Sequence, residues 1–237
     1  MKFNRKVALG TLLLLVSTAS FSTTVSLDLT SLPSAQGWTY QTSGPTEPEI
    51  YSVDSAGSTL IGNSLGTGDN RTGYQITDII NPQRPFTISF RANVPQTEVL
   101  DDFFKASALI VFASTGTEFY GIGLNSTLIQ APFFSGQIYP IDGTQFHDYR
   151  LEAVPGVGAQ VFVDNVFLTS SAPQFIPIPN AFGFGNLTSS EKGYVQITGL
   201  SFSQPIAEPQ TWCLVLLGCA ILWSKFSNER PQAKFSN

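Results

Sequence analysis

Cysteine is nearly absent from this chain. Its 237 residues hold two, Cys213 and Cys219, both inside an apolar run near the end. The long body has none, which excludes a small disulfide-framed domain and leaves hydrophobic burial to hold the fold. Histidine is scarcer still. His147 stands alone, so a catalytic triad or a histidine metal site would have to be built on it. Charged residues make up 12% of the chain, against roughly 25% in soluble proteins generally. Ser, Thr, Gly, Asn and Gln fill that gap. Basic residues are especially rare in the body: between Ser26 and Ile206, six Lys and Arg face fifteen Asp and Glu, a net −9. Such a surface repels phosphate backbones and excludes nucleic-acid binding. Helical periodicity is missing too, with no sustained 3.6-residue repeat from Thr39 to Gln204.

What is present is a series of short β-branched and aromatic runs cut by Gly, Pro, Asn and Asp. "FTISFRA" puts Phe86, Ile88 and Phe90 on one face and Thr87, Ser89 and Arg91 on the other. "ALIVFAS" (Ala108 to Ser114) is almost continuously apolar, as in a strand covered on both sides. Further runs start at Glu118, Phe146, Ala159, Asn180 and Tyr194. "VDNVF" places Asp164-Asn165 between two strands, and Asx residues tolerate the positive φ of a two-residue hairpin turn. "PQFIPIPN" (Pro173 to Asn180) has three prolines in eight residues and must be a connection or a sheet edge. "TGDNRTG" (Thr67 to Gly73) is a loop, and "QTEVLDDFFKAS" (Gln96 to Ser107) an excursion with room for one helical turn. Many short strands with turns between them predict an all-β sandwich or barrel.

The two ends differ from the body. "MKFNRK", then "VALGTLLLLV", then "STAS" give a basic, an apolar and a small-residue segment in the order of an export signal. The expected signal peptide is 1–20; an uncleaved N-terminal anchor is the alternative. At the other end, Trp212 to Trp223 is a twelve-residue run without charge. As a helix it would cover about 18 Å, short of the roughly 30 Å hydrocarbon core of a bilayer. That length favours an address read by a membrane protein over a permanent anchor or a core segment.

Two resemblances follow from these residues. "FHDYRLEAVPGVGAQVFVDNVFLTS" resembles the core hairpin of laminin-G-like, concanavalin A-like domains, whose pattern is matched by Phe146, His147, Tyr149, Arg150, Val161, Val163 and Asp164. Asn165 stands where that pattern has Gly. The likeness runs roughly from Leu27 to Gln204. It implies a two-sheet antiparallel jelly-roll sandwich over 26–206, flanked by an N-terminal signal helix and a C-terminal hydrophobic helix. The terminal stretch is similar to bacterial PEP-CTERM sorting signals through Glu208, Pro209, Thr211, Trp212, the apolar run and Lys225. Ala207 replaces the first Pro, and a longer tail follows the apolar run. The resemblance implies a sorting signal with a short transmembrane helix over 207–226, a disordered tail over 227–237, and an exosortase-type membrane protease as partner. It also implies export to the cell surface, outer envelope or exterior.

Chemistry is harder to find. Jelly-roll glycosidases carry Glu-x-Asp-x-x-Glu on a strand, which sets two carboxylates across a sugar bond. That spacing is absent. "EPEIYSVD" (Glu47 to Asp54) comes closest, but Pro48 argues for a solvated edge or loop. Strand alternation puts His147 with Tyr149 and Leu151, in a structural role, and makes Arg150 with Asp148 or Glu152 a surface pair. Calcium is the one metal the resemblance admits, bound by Asp and Asn oxygens on rim loops. Asp69, Asn70, Asp142 and Asp164 are the candidate ligands, and no EF-hand run gathers them. Sugar stacking would use Trp38, Tyr51, Tyr74, Tyr120 and Tyr139. The expectation is an exported binding protein for exopolysaccharide or a surface partner, with no catalysis and no required cofactor. The alternatives are a polysaccharide-active enzyme of this fold and a structural matrix protein without a discrete ligand.

Overall fold

A computed structural model describes residues 22–100, 106–133 and 137–205. The expected signal helix, the sorting residues Glu208, Pro209, Thr211, Trp212 and Lys225, and the tail lie outside the described residues. The strands are, in chain order, β1 (Ser22–Ser26), β2 (Thr39–Thr42), β3 (Tyr51–Val53), β4 (Leu60–Asn63), β5 (Thr72–Thr77), β6 (Phe86–Val99), β7 (Leu109–Ser114) and β8 (Glu118–Leu124). Then come β9 (Leu128–Gln130), β10 (Ile138–Pro140), β11 (His147–Val154), β12 (Gly158–Val163), β13 (Val166–Ser171), β14 (Gln174–Phe175), β15 (Ala181–Asn186) and β16 (Glu191–Pro205).

They form two antiparallel sheets. The first runs β13-β12-β11-β6-β16-β4-β3, with β1 also on β16. The second runs β10-β9-β8-β7-β15-β5-β2, with β14 added beside β8. Alternating apolar residues of the two inner faces meet between them. Phe86, Ile88, Phe90, Tyr149, Leu151 and Phe202 come from the first sheet; Tyr74, Val111, Tyr120, Ile122, Phe182 and Phe184 come from the second. Phe90 stacks on Tyr149 at 4.8 Å, and Phe182 crosses to Phe202 at 5.4 Å. Each such side chain, fully buried, contributes about 1.5–3 kcal/mol.

The continuous run of β7 has a direct explanation. Leu109, Val111 and Ala113 enter the main core. Ile110 and Phe112 enter a second cluster on the opposite face with Phe119, Phe133 and Ala181. The proline-rich connection covers that cluster with Ile176 and Ile178, and the Ile176 amide donates to the Thr117 carbonyl at 3.1 Å. Glycine makes room beneath these rings. A Cβ on Gly183 would lie 2.6 Å from Phe112, and one on Gly121 would lie 2.7 Å from Phe119.

One local expectation is overturned. Glu47–Ile50 is a turn of α-helix, α1, instead of an edge or loop. Pro48 suits the first helical turn, where its missing N–H would have no partner, and the Thr46 amide donates to the Glu49 carboxylate at 2.7 Å. The chain then enters β3. The predicted excursion begins as strand, since β6 continues to Val99.

Candidate ligand-binding face

The outer face of the first sheet carries its polar chemistry in rows that the registers define. Ser203, Thr87, Glu152, Gln160 and Ser170 are cross-strand neighbours from β16 to β13. Beside them run Ser201, Ser89, Arg150, Phe162 and Phe167. A third row holds Gly199, Arg91 and Asp148. Alternation explains this grouping, since Tyr149, Leu151 and Ala153 of β11 are buried while Asp148, Arg150 and Glu152 reach solvent. Two shallow grooves lie here. One of about 500 Å³ is lined by Ser89, Arg91, Asp148, Arg150 and Ser201 among others. The other, about 540 Å³, is lined by Glu152, Val154, Val157, Gln160 and Ser170 among others.

The charges on this face are paired within it. Arg150 Nη1 lies 2.8 Å from Glu152 Oε1, and its guanidinium sits 4.3 Å from the Phe162 ring centroid. Arg91 Nη1 lies 2.9 Å from Asp148 Oδ2 and near the Phe146 ring. The arginines are thereby held as flat plates, not as free cations. Phe162 meets Phe167 edge to face at 5.8 Å, and Phe167 remains 54% exposed.

The β12–β13 hairpin is built as its sequence predicts. Asp164 and Asn165 have φ of 50° and 64°, the left-handed pair of a two-residue turn. Asp164 also locks this turn to β11. Its Oδ2 lies 2.6 Å from His147 Nδ1, and its Oδ1 accepts the Asp148 amide at 2.9 Å. Partial burial acts to raise the Asp164 carboxyl, but these bonds and the nearby Arg91 charge outweigh it and lower its pKa. His147 Nε2 faces the Asp142 carbonyl at 3.1 Å. The lone histidine therefore braces two loops.

The predicted stacking aromatics are elsewhere. Trp38, Tyr51, Tyr74 and Tyr120 are buried. Trp38 packs edge-on against Phe184, and the Tyr51 and Tyr120 hydroxyls donate to the Thr72 carbonyl and the Glu118 carboxylate. Their faces are core surface, because two facing sheets need bulky side chains to fill the gap between them. Tyr139 is half-buried in β10 of the second sheet. The calcium candidates also fail to converge. Asp142 Oδ1 closes its own turn onto Thr144, and Asp164 serves the hairpin. Asp69 is exposed, and the Asn70 carbonyl is bonded by Lys192. Among the described residues no group of three or more His, Cys, Asp or Glu is placed to hold a metal.

Sequence reasoning missed Gln160, Phe162, Phe167 and Ser170. Counting outward from Asp164-Asn165 pairs Val163 with Val166 and Phe162 with Phe167, so the aromatic pair was readable once the turn was fixed. A one-residue bulge at Leu168 then shifts the pairing to Val161 with Thr169. That shift hid Ser170 opposite Gln160.

No protein-family model matches this chain, and neither does any curated protein. Solved structures do. A protein of unknown function from Shewanella oneidensis matches with TM-score 0.52 at 15% identity, over 87% of this chain and 95% of that one. The fold is a two-sheet antiparallel jelly roll. A β-glucanase from Bacillus licheniformis matches with TM-score 0.49 at 11% identity, over 78% and 99% of the two chains. Peanut lectin matches with TM-score 0.48 at 13% identity, over 80% and 100%. At these identities the likeness concerns fold alone.

Proposed function

We propose that this chain is an exported surface or matrix protein that binds a neutral glycan on the outer face of its first sheet and does no chemistry there. The rows of Ser, Thr and Gln beside Phe162 and Phe167 carry this reading. Sugars present hydroxyls at their edges and C–H patches on their faces. A surface alternating hydroxyl and amide groups with exposed rings complements both. Charge narrows the class. Arg91 and Arg150 each have a carboxylate partner, so neither is left to recruit an acidic polymer, and the body's net −9 repels one.

Catalysis is disfavoured by spacing. Asp148 and Glu152 lie four residues apart on β11, an advance of about 13 Å along the strand. Glycosidase carboxyl pairs stand roughly 5–9.5 Å apart. Export and exosortase-type sorting rest on the sequence of the two ends. The test is retention on a panel of immobilised neutral and acidic polysaccharides, using protein recovered from its own host. Retention by neutral polymers alone is expected; no retention above background on any of them would leave a structural matrix protein as the better reading. Intact mass of that same material checks the processing, with a species running from near residue 20 to near Glu208 expected.

A further inference from the structure

The loop that the calcium reading singled out does hold a cation, but one that belongs to the chain. Lys192, near the start of β16, is completely buried. Its Nζ donates to the Asn70 carbonyl at 2.7 Å, to Asn186 Oδ1 at 3.0 Å and to the Thr188 carbonyl at 2.9 Å. An ammonium has three protons, and all three are used. None of the acceptors is a carboxylate. Three neutral carbonyl oxygens converging on one positive centre match the three protons of an ammonium, and are too few for Ca²⁺, which takes about six to eight oxygens. Here they come from the β4–β5 loop, the end of β15 and the β15–β16 loop. A single centre thus ties three segments together.

We infer that Lys192 is a tethered cation, filling an oxygen cage that would otherwise take a free ammonium ion. The surroundings agree. Asp69 and Glu98 favour the charge from a distance, Arg71 opposes it, and burial opposes it most, lowering the amine to about 8. At neutral pH the proton is therefore still held. Glu98, the register partner of Lys192, also accepts the Gly66 amide at 2.8 Å and fixes the same loop. The adjoining Glu191, itself buried, binds the other way, to the Ser107 amide and the Asn125 side chain. The two neighbouring charges thus organise separate loops.

The test compares full-length wild type with Lys192→Ala, which empties the cage, and Lys192→Met, whose stem still fills the approach to it. Thermal melting is followed with and without methylammonium, calcium or a chelator. Lys192→Ala is expected to gain several degrees with methylammonium and not with calcium, while wild type and Lys192→Met respond to neither. A folded Lys192→Ala indifferent to methylammonium would overturn the inference, as would a wild type that melts earlier with chelator. If Lys192→Ala does not fold, nitrogen-15 NMR of wild-type lysine side chains decides. One ammonium protected from solvent exchange and missing in Lys192→Met supports the cage; uniformly fast exchange refutes it.

Discussion

The same substitution, Gly→Ala, is expected to have opposite effects at Gly183 and Gly199. Both residues lie within strands, and neither has the positive φ that would strain an L-residue. Their surroundings differ. At Gly183 a new Cβ would lie 2.6 Å from the Phe112 ring and 2.6 Å from the Tyr74 carbonyl oxygen. The oxygen belongs to a paired strand and cannot withdraw without disturbing the ladder. Phe112 is stacked on Phe119 at 5.4 Å and 11° and is covered by the Ile176–Ile178 segment. Overpacking of this kind costs about 1–3 kcal/mol, and two obstacles put Gly183→Ala near the upper end. At Gly199 nothing lies within 4 Å of the added carbon. There the gain is reduced freedom of the unfolded chain, about 0.4–1 kcal/mol. Urea unfolding followed by far-UV circular dichroism measures both against wild type. A Gly183→Ala midpoint equal to wild type would refute the account of the ring-over-glycine packing. A destabilised Gly199→Ala would refute the reading of that site as open.

Phe167→Ala is expected to abolish retention on neutral polysaccharide while changing stability by no more than about 0.5 kcal/mol, because the ring is mainly exposed; affinity electrophoresis and melting read the two effects. Asp164→Ala should cost about 2 kcal/mol through the left-handed turn and its lost bonds, and Asp164→Asn less, since Asn keeps the turn. The lowered pKa of Asp164 means its contribution is present above the ordinary carboxylate range and lost as pH falls through the lowered value, so acid unfolding should be less steep in Asp164→Asn. Lys192 acts in the same direction in a more alkaline window. The unfolded chain keeps that proton up to the ordinary lysine value of 10.5 and the folded chain only to about 8, so stability should rise with pH across that window. Lys192→Met should flatten the rise in urea titrations from pH 7 to 10.5.

The sandwich was legible because its strands announce themselves. Phe86, Ile88 and Phe90 alternate with polar residues, and Asp164-Asn165 fixes one hairpin to the residue. What sequence could not supply was depth. Trp38, Tyr51, Tyr74 and Tyr120 look like sugar platforms when read singly, and they form the core because each alternates inward on its strand or packs beside one that does. Phe162 and Phe167 drew no notice, because phenylalanine is usually buried, yet they alternate outward.

The same inversion governs charge. A Glu-Lys pair near a loop reads as solvated surface, and Glu191 and Lys192 are buried. Successive residues of a strand point to opposite sides, so the two charges cannot neutralise each other and each must find partners in a different loop. Those partners are carbonyls, amides and one Asn side chain on each side, groups that every loop possesses and no composition reveals. A buried charge held by neutral dipoles is therefore invisible to any search for acidic clusters or metal motifs. Asp69 and Asn70 drew attention to the right loop for the wrong reason: the Asn70 backbone carbonyl, not an acidic side chain, meets the cation.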